Sequence, residues 1–159
     1  MVSGLLLLLF LLVTGLLASA LVANGTSWNT PPGALKRLGI YLGTNMATTE
    51  NSSLPELKPR RYPLTGERAV KTIRQALAEL GWVESAYHPE RGEFHAVVTT
   101  RLWRFKDDVR IWVEEEEAGC VIHAHSQSRL GKGDLGANAR HILDLFATLE
   151  RIVASDQGP

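Results

Sequence analysis

The chain predicts a two-layer α+β domain behind one membrane-spanning helix, and three observations carry that prediction. The first is an apolar run from Leu5 to Ala23, with no charged side chain before Lys36. The second is a pair of segments, Gly66 to Leu80 and Asn138 to Val153, in which apolar residues recur at three- and four-residue steps. The third is the region between them, where β-branched and aromatic residues alternate with polar ones at the period of a strand. The order helix, four strands, helix (α-β-β-β-β-α) packs most economically as one antiparallel four-stranded sheet with both helices on one face. The chain divides into a hydrophobic anchor or signal segment over residues 1–25, a linker and extended arm over 26–61, and a small α/β domain over 62–155.

At a rise of ~1.5 Å per residue, a helix from Leu5 to Ala23 matches a hydrocarbon core ~30 Å thick, so the membrane is the expected partner of this segment. The run is longer than the ~7–15-residue core of a signal peptide and lacks a basic segment ahead of it, which favours an uncleaved anchor. Ala18-Ser19-Ala20 fits a cleavage pattern, and cleavage with export is the alternative. Lys36 and Arg37 flank the run and weigh towards a cytoplasmic domain. Leaders of this kind usually export the domain behind them, so the expectation is a single-pass membrane protein with its domain outside the cytoplasm, in the periplasm.

All 17 basic and all 17 acidic residues lie from Lys36 onward, and the domain is neutral. Neutrality and the lack of a basic stripe argue against nucleic acid as a partner. The single cysteine, Cys120, permits no internal disulfide, and its apolar neighbours make it a small buried hydrophobe. Residues 24–32 form a turn-rich linker. Asn24-Gly25-Thr26 and Asn51-Ser52-Ser53 fit the glycosylation sequon, relevant only to a eukaryotic secretory pathway. The stretch from Gly43 to Arg61, rich in Thr, Asn, Ser and Pro, reads as an extended segment that packs over the domain, across its polar sheet face.

The first domain helix starts near Gly66, with Thr65 as its cap, Glu67 in its first turn and Gly81 as its stop. Val70, Ile73, Leu77 and Leu80 form its apolar stripe. Strands come next at Trp82–Tyr87 and, after a turn at Pro89–Gly92, at Glu93–Thr100, running on towards Phe105 until Lys106-Asp107-Asp108 interrupts it. Val109–Glu115 and Cys120–Ser126 form a hairpin about the turn Glu116–Gly119. A glycine-punctuated loop, Ser128 to Gly136, leads into the last helix, whose apolar face carries Ile142, Leu145, Phe146, Leu149 and Ile152–Val153.

Three groups of residues carry candidate chemistry. Arg110 and Trp112 share one side of their strand, and His123 and His125 share a side of the next, where His95 can join them. Two histidines at i and i+2 suit a shared metal, although zinc wants three or four ligands and no third is identified, so a solvated polar face stands beside that reading. Asp107-Asp108 suits a hard cation, or else a turn with an ion pair to Arg101, Arg104 or Arg129. The loop from Ser128 to Arg140 opens a helix whose amino end favours anions, with Arg129, Lys132 and Arg140 adding positive charge. It equally suits a tight connection in which Asp134 caps locally and Arg129 is buried in an ion pair. It is not a P-loop, since no Gly-Lys-Ser/Thr triplet is present. Glu114–Glu117 is a solvated hairpin tip. No nucleophile-elbow motif surrounds Ser126 or Ser128.

Two blocks carry a resemblance. Leu102-Trp103-Arg104-Phe105-Lys106-Asp107-Asp108-Val109 is one, and the run from His125 to Arg140, HSQSRLGKGDLGANAR, is the other. Together, over roughly Pro59 to Val153, the chain resembles the domain-of-unknown-function-1499 family, and Pro55-Glu56-Leu57 is similar to one branch of it. The resemblance implies a small α/β domain, often behind a signal or membrane segment, and no established activity. Its characteristic positions fall on Arg104, Phe105, Asp107, Asp108, Ser128, Arg129, Gly131, Asp134, Gly136, Asn138 and Arg140. Many relatives carry a paired-cysteine segment in the amino-terminal arm. The corresponding stretch here, Tyr41 to Glu50, has none, which argues against a redox or metal role for that arm.

The leading expectation is a membrane-anchored, non-enzymatic envelope domain that binds a small anionic ligand or an envelope protein, with no cofactor and no resident metal. Its candidate ligand-binding residues are Arg104, Asp107, Asp108, Arg129, Gly131, Asp134, Asn138 and Arg140, converging beside the glycine loop. Arg129 and Arg140 then hold an anion, or neutralise Asp107 and Asp108 within a structural network. One alternative is a metal-assisted hydrolase using Asp107 or Asp108 with His123 or His125. The other is a purely structural or interaction module assembling through the polar sheet face around Trp112.

Overall fold

The computed structural model describes residues 2–24, 28, 30–100 and 104–156. Helix α1, Val2–Ala23, has a mean hydropathy of 2.8 over its apolar window and none of that window is buried. It stands out from the domain over most of its length, with Leu21 near its end packed against the core. Ten residues on, α2 spans Ala34–Gly43. Two short strands come after it, β1 (Met46–Thr48) and β2 (Arg60–Tyr62), with a single 3-10 turn, Pro55–Leu57, between them. Helix α3 (Gly66–Leu80) precedes β3 (Val83–His88), β4 (Glu93–Thr99), β5 (Lys106–Glu116) and β6 (Gly119–Ser128), and α4 (Ala137–Asp156) ends the described chain.

The class is α+β, with α3 and α4 on one face of an antiparallel sheet ordered β1-β6-β5-β4-β3. Six strands replace the four expected. The extra two come from the arm and lie end to end along the outer edge of β6, β1 beside His125–Gln127 and β2 beside Cys120–Ile122. Between them Thr49 substitutes for a strand. Its N–H donates to the Ala124 carbonyl at 2.9 Å and its hydroxyl accepts from the Ala124 N–H at 3.0 Å. An unpaired β6 would present a row of open backbone groups, and the arm closes that edge. The segment from Gly43 to Arg61 therefore extends the sheet sideways and does not lie across its polar face.

Helix α3 starts and stops where its sequence says. The Thr65 hydroxyl accepts from the Arg68 N–H, and Gly81 takes the left-handed conformation (φ 68°) that ends helices. Lys106-Asp107-Asp108, expected to interrupt a strand, lies inside β5. Thr99, Val98 and Val97 of β4 pair with these residues on one side, and Ser128 and Gln127 of β6 pair with the two aspartates on the other. Pairing on both sides outweighs the poor strand propensity of aspartate. The covered face buries Phe94, Ala96 and Val98 of β4, Asp107, Val109 and Ile111 of β5, and Cys120, Ile122, Ala124 and Ser126 of β6. Ile73, Leu77, Ile142, Leu145, Phe146 and Leu149 of α3 and α4 meet them, and Leu54 and Leu57 of the arm close the core. Cys120 is buried as expected, and burial pushes its thiol pKa up.

Candidate functional site

The glycine loop is held by a polar network centred on Asn138, which is fully buried in the first turn of α4. Its side-chain oxygen accepts from the Ser126 hydroxyl at 2.6 Å. Its amide group lies within donor range of the Asn45 carbonyl, the Ser128 hydroxyl and an Asp134 carboxylate oxygen, at 2.9, 2.9 and 2.7 Å. Asp134 accepts the backbone N–H groups of Gly136 and Asn138 at 2.8 and 3.0 Å and so caps α4 locally, as its position suggests. Burial pushes the Asp134 carboxyl above its ordinary value, against the pull of those hydrogen bonds. Asn45 reaches in from the arm and donates to the carbonyls of Ser128 and Gly131 at 3.2 and 3.0 Å.

The eight candidate residues do not converge on one point. Adjacent strand residues point to opposite faces, so β5 separates the two aspartates. Asp107 turns under the helices, where one oxygen accepts from His141 Nε2 at 2.9 Å and the other has no hydrogen-bond partner among the described residues. Asp108 turns to the open face and takes a two-pronged bond from Arg129, at 2.9 and 2.6 Å. The Arg129 guanidinium holds the Asp108 carboxyl below its ordinary value. That pair is about half exposed, with Arg129 at 48% and Asp108 at 56%, so Arg129 is not buried. Arg140 pairs with Asp144 one turn along α4 at 2.7 Å. Arg104 is exposed at a positive φ of 57° where the chain turns from β4 to β5. Gly131 lies exposed in the loop with its carbonyl on Asn45. Arg101, Leu102 and Trp103, like Gly25 and Thr26 of the first sequon, lie outside the described residues.

The open face of the sheet collects the remaining candidates in register. Glu93, Trp112 and His123 form one row across β4, β5 and β6; His95, Arg110 and His125 form the next; Val97, Asp108 and Gln127 the third. Trp112 stacks on His123 with ring centroids 5.0 Å apart, and the Arg110 guanidinium lies 4.5 Å from the Trp112 ring centroid. His95 Nε2 sits 2.8 Å from a Glu93 oxygen, and Arg110 lies 3.8 Å from the other. Burial works to raise the Glu93 carboxyl, but His95 and Arg110 together hold it below its ordinary value. Ser85, His95, Asp108, Arg110, His125 and Gln127 line a shallow depression of about 400 Å³.

This geometry answers the metal reading in part. Asp107 lies on the covered face while His123 and His125 lie on the open one, so Asp107 cannot share a cation with either. Among the described residues no three His, Cys, Asp or Glu side chains are placed to hold a metal ion. Two participants escaped sequence reasoning, His141 as the partner of Asp107 and Asn45 as the arm's contribution to the Asn138 network. Asn45 is 93 positions from Asn138, and no local pattern joins them.

A family model described as protein of unknown function (DUF1499) matches residues 29–149. A search of curated proteins finds no match.

Proposed function

The chain belongs to the protein of unknown function (DUF1499) family, and from that premise we propose that it is a non-enzymatic, membrane-anchored binding module of the cell envelope that takes an anionic group, a carboxylate or a phosphate, on its open sheet face. One observation carries the reading: His95, Arg110 and His125 stand side by side on three neighbouring strands, on the face no helix covers, around a depression that Ser85 and Gln127 also line. Arginine offers paired N–H donors to a carboxylate or phosphate, and the His125 imidazole adds a donor beside His95, whose Nε2 is hydrogen-bonded to Glu93. The glycine loop is the weaker candidate, because carboxylates hold Arg129 and Arg140 at 2.6 and 2.7 Å, whereas Arg110 lies 3.8 Å from Glu93. The α1 segment is long and apolar enough to span a bilayer, which supports an anchored domain.

The test monitors the imidazole proton resonances of His95 and His125 in the full chain, in phosphatidylcholine nanodiscs, titrated with inorganic phosphate and with acetate. Both resonances are expected to shift saturably with one anion or both, and Arg110→Gln is expected to abolish the shift. Saturable shifts that survive Arg110→Gln, or no shift with either anion, refute the proposal.

A further inference from the structure

Helix α2 buries an arginine beside the core-packed Ile40 and Tyr41 and exposes two leucines. Its inward side carries a fully buried arginine, Arg37, with Tyr41 one turn on. Arg37 donates to both Glu56 oxygens, to the Thr30 hydroxyl and to the Pro31 carbonyl, so its charge is spent within the fold. The outward side carries Leu35 and Leu42, two helical turns apart and thus on one stripe, 86% and 51% exposed. Leu38, half-buried, and Gly39 fill the stripe between them without a charge. A helix bordering water places its polar side chains outward. The glycine loop abuts the same helix, since Gly133 is packed against the Leu42 backbone and Asn45 holds the Gly131 carbonyl. That loop exposes Leu130 beside Lys132.

The position of α1 indicates what covers these leucines. Asn24, the residue after α1, donates its side-chain amide to the Leu135 carbonyl of the same loop at 3.4 Å. Leu21 and Trp28 pack against the core, and Trp28 meets the Tyr41 ring edge-on at 6.0 Å. The anchor therefore ends on the domain itself, and the surface bearing Leu35, Leu42 and Leu130 adjoins the point where α1 leaves it.

We infer that α2 and the glycine loop are a second membrane contact, a collar in which Leu35, Leu42 and Leu130 enter the headgroup–acyl boundary while Lys36 and Lys132 meet lipid phosphates. This rests on the reading of α1 as an uncleaved anchor. An apolar helix face flanked by basic residues is the pattern of a helix lying in the interface plane. The collar holds the domain against the bilayer with the β5–β6 hairpin tip at the far pole, since the ten residues of β6 span ~30 Å from the loop to that tip.

The test uses the full chain in phosphatidylcholine vesicles with shallow-brominated acyl chains, with and without phosphatidylglycerol. An environment-sensitive fluorophore is placed on single cysteines at Leu12, Leu42, Leu130 and Glu117. The native Cys120 is buried and does not compete for the label. All but Leu12 are exposed domain positions, and circular dichroism checks that each variant folds. Labels at Leu42 and Leu130 are expected to be quenched at least about twofold more than at Glu117, and more so with the anionic lipid. Quenching at Leu12 with Leu42 and Leu130 no different from Glu117 overturns the collar and leaves the anchor standing. A blue-shifted but unquenched label at Leu42 shows protein covering the face and also overturns it. A Leu12 label inaccessible to quenchers placed at every depth overturns the anchor reading, and the collar with it.

Discussion

At the scale of single residues, the conspicuous arginine and the inconspicuous asparagine exchange importance. Arg129 sits in the most distinctive motif of the chain, yet its pair with Asp108 is about half in water, where solvent screens the charges and side-chain entropy offsets the contact. Arg129→Ala is expected to leave the melting temperature unchanged within error. Asn138 is fully buried and joins α4 to β6, the arm and Asp134. Asn138→Ala strands several buried polar groups at once, and a loss of about 2–4 kcal/mol is expected from denaturant unfolding. Asp134 supplies a pH signature. Its carboxyl is raised in the folded state by burial, so the fold retains that proton at pH values where the unfolded chain has released it. Wild-type stability thus falls as pH rises from the ordinary aspartate value through the raised one, and Asp134→Asn removes that slope. The difference between the urea midpoints of variant and wild type is expected to move in the variant's favour across the range where pH rises above the ordinary aspartate value. A difference that stays constant across that range counts against a raised Asp134.

At the scale of elements, the arm decides most. Helix α2, β1, the turn at Pro55–Leu57 and β2 close the open edge of β6 and part of the core, and the ion pair of Arg37 with Glu56 clips α2 to that turn. Arg37 is fully buried and Glu56 retains some water. Arg37→Ala leaves a partly buried carboxylate unpaired, and a cost of about 2–3 kcal/mol is expected, below that of a fully buried pair. Hydrogen exchange is expected to report the loss first at Thr49 and Ala124, whose paired backbone groups depend on the arm staying in place. An arm that exchanges as in wild type would show that β1 and β2 hold the edge without the ion pair.

At the scale of the whole molecule, one end of the sheet carries the end of α1, the glycine loop and α2, and the opposite end carries the acidic hairpin tip. The open sheet face proposed to bind an anion runs between these poles along β4, β5 and β6, turned away from α3 and α4. A cleaved leader would release this arrangement from the membrane, whereas an anchor holds the face at a set height above it. Intact-mass measurement on the membrane fraction is expected to find α1 still attached. A mature chain beginning at Leu21, after the Ala18-Ser19-Ala20 pattern, would mark cleavage and export.

Much of this architecture is legible in the order of residues alone. The length and apolarity of α1 come from an uncharged run, and α3, α4 and the β5–β6 hairpin come from periodicity and from local signals such as Thr65 and Gly81. These properties depend on neighbours within a turn or two along the chain. The opposed directions of Asp107 and Asp108 are also local, since a strand alternates, but recognising that Lys106 to Asp108 belong to a strand needs β4 and β6 on either side. Tertiary structure alone decides that the arm supplies two strands, that Arg37 is buried against Glu56, that Asn45 completes the Asn138 network and that His141 faces Asp107. Each of these joins residues 19 to 93 positions apart. Their energy comes from burying polar groups together, a condition that exists only once the chain has closed around them.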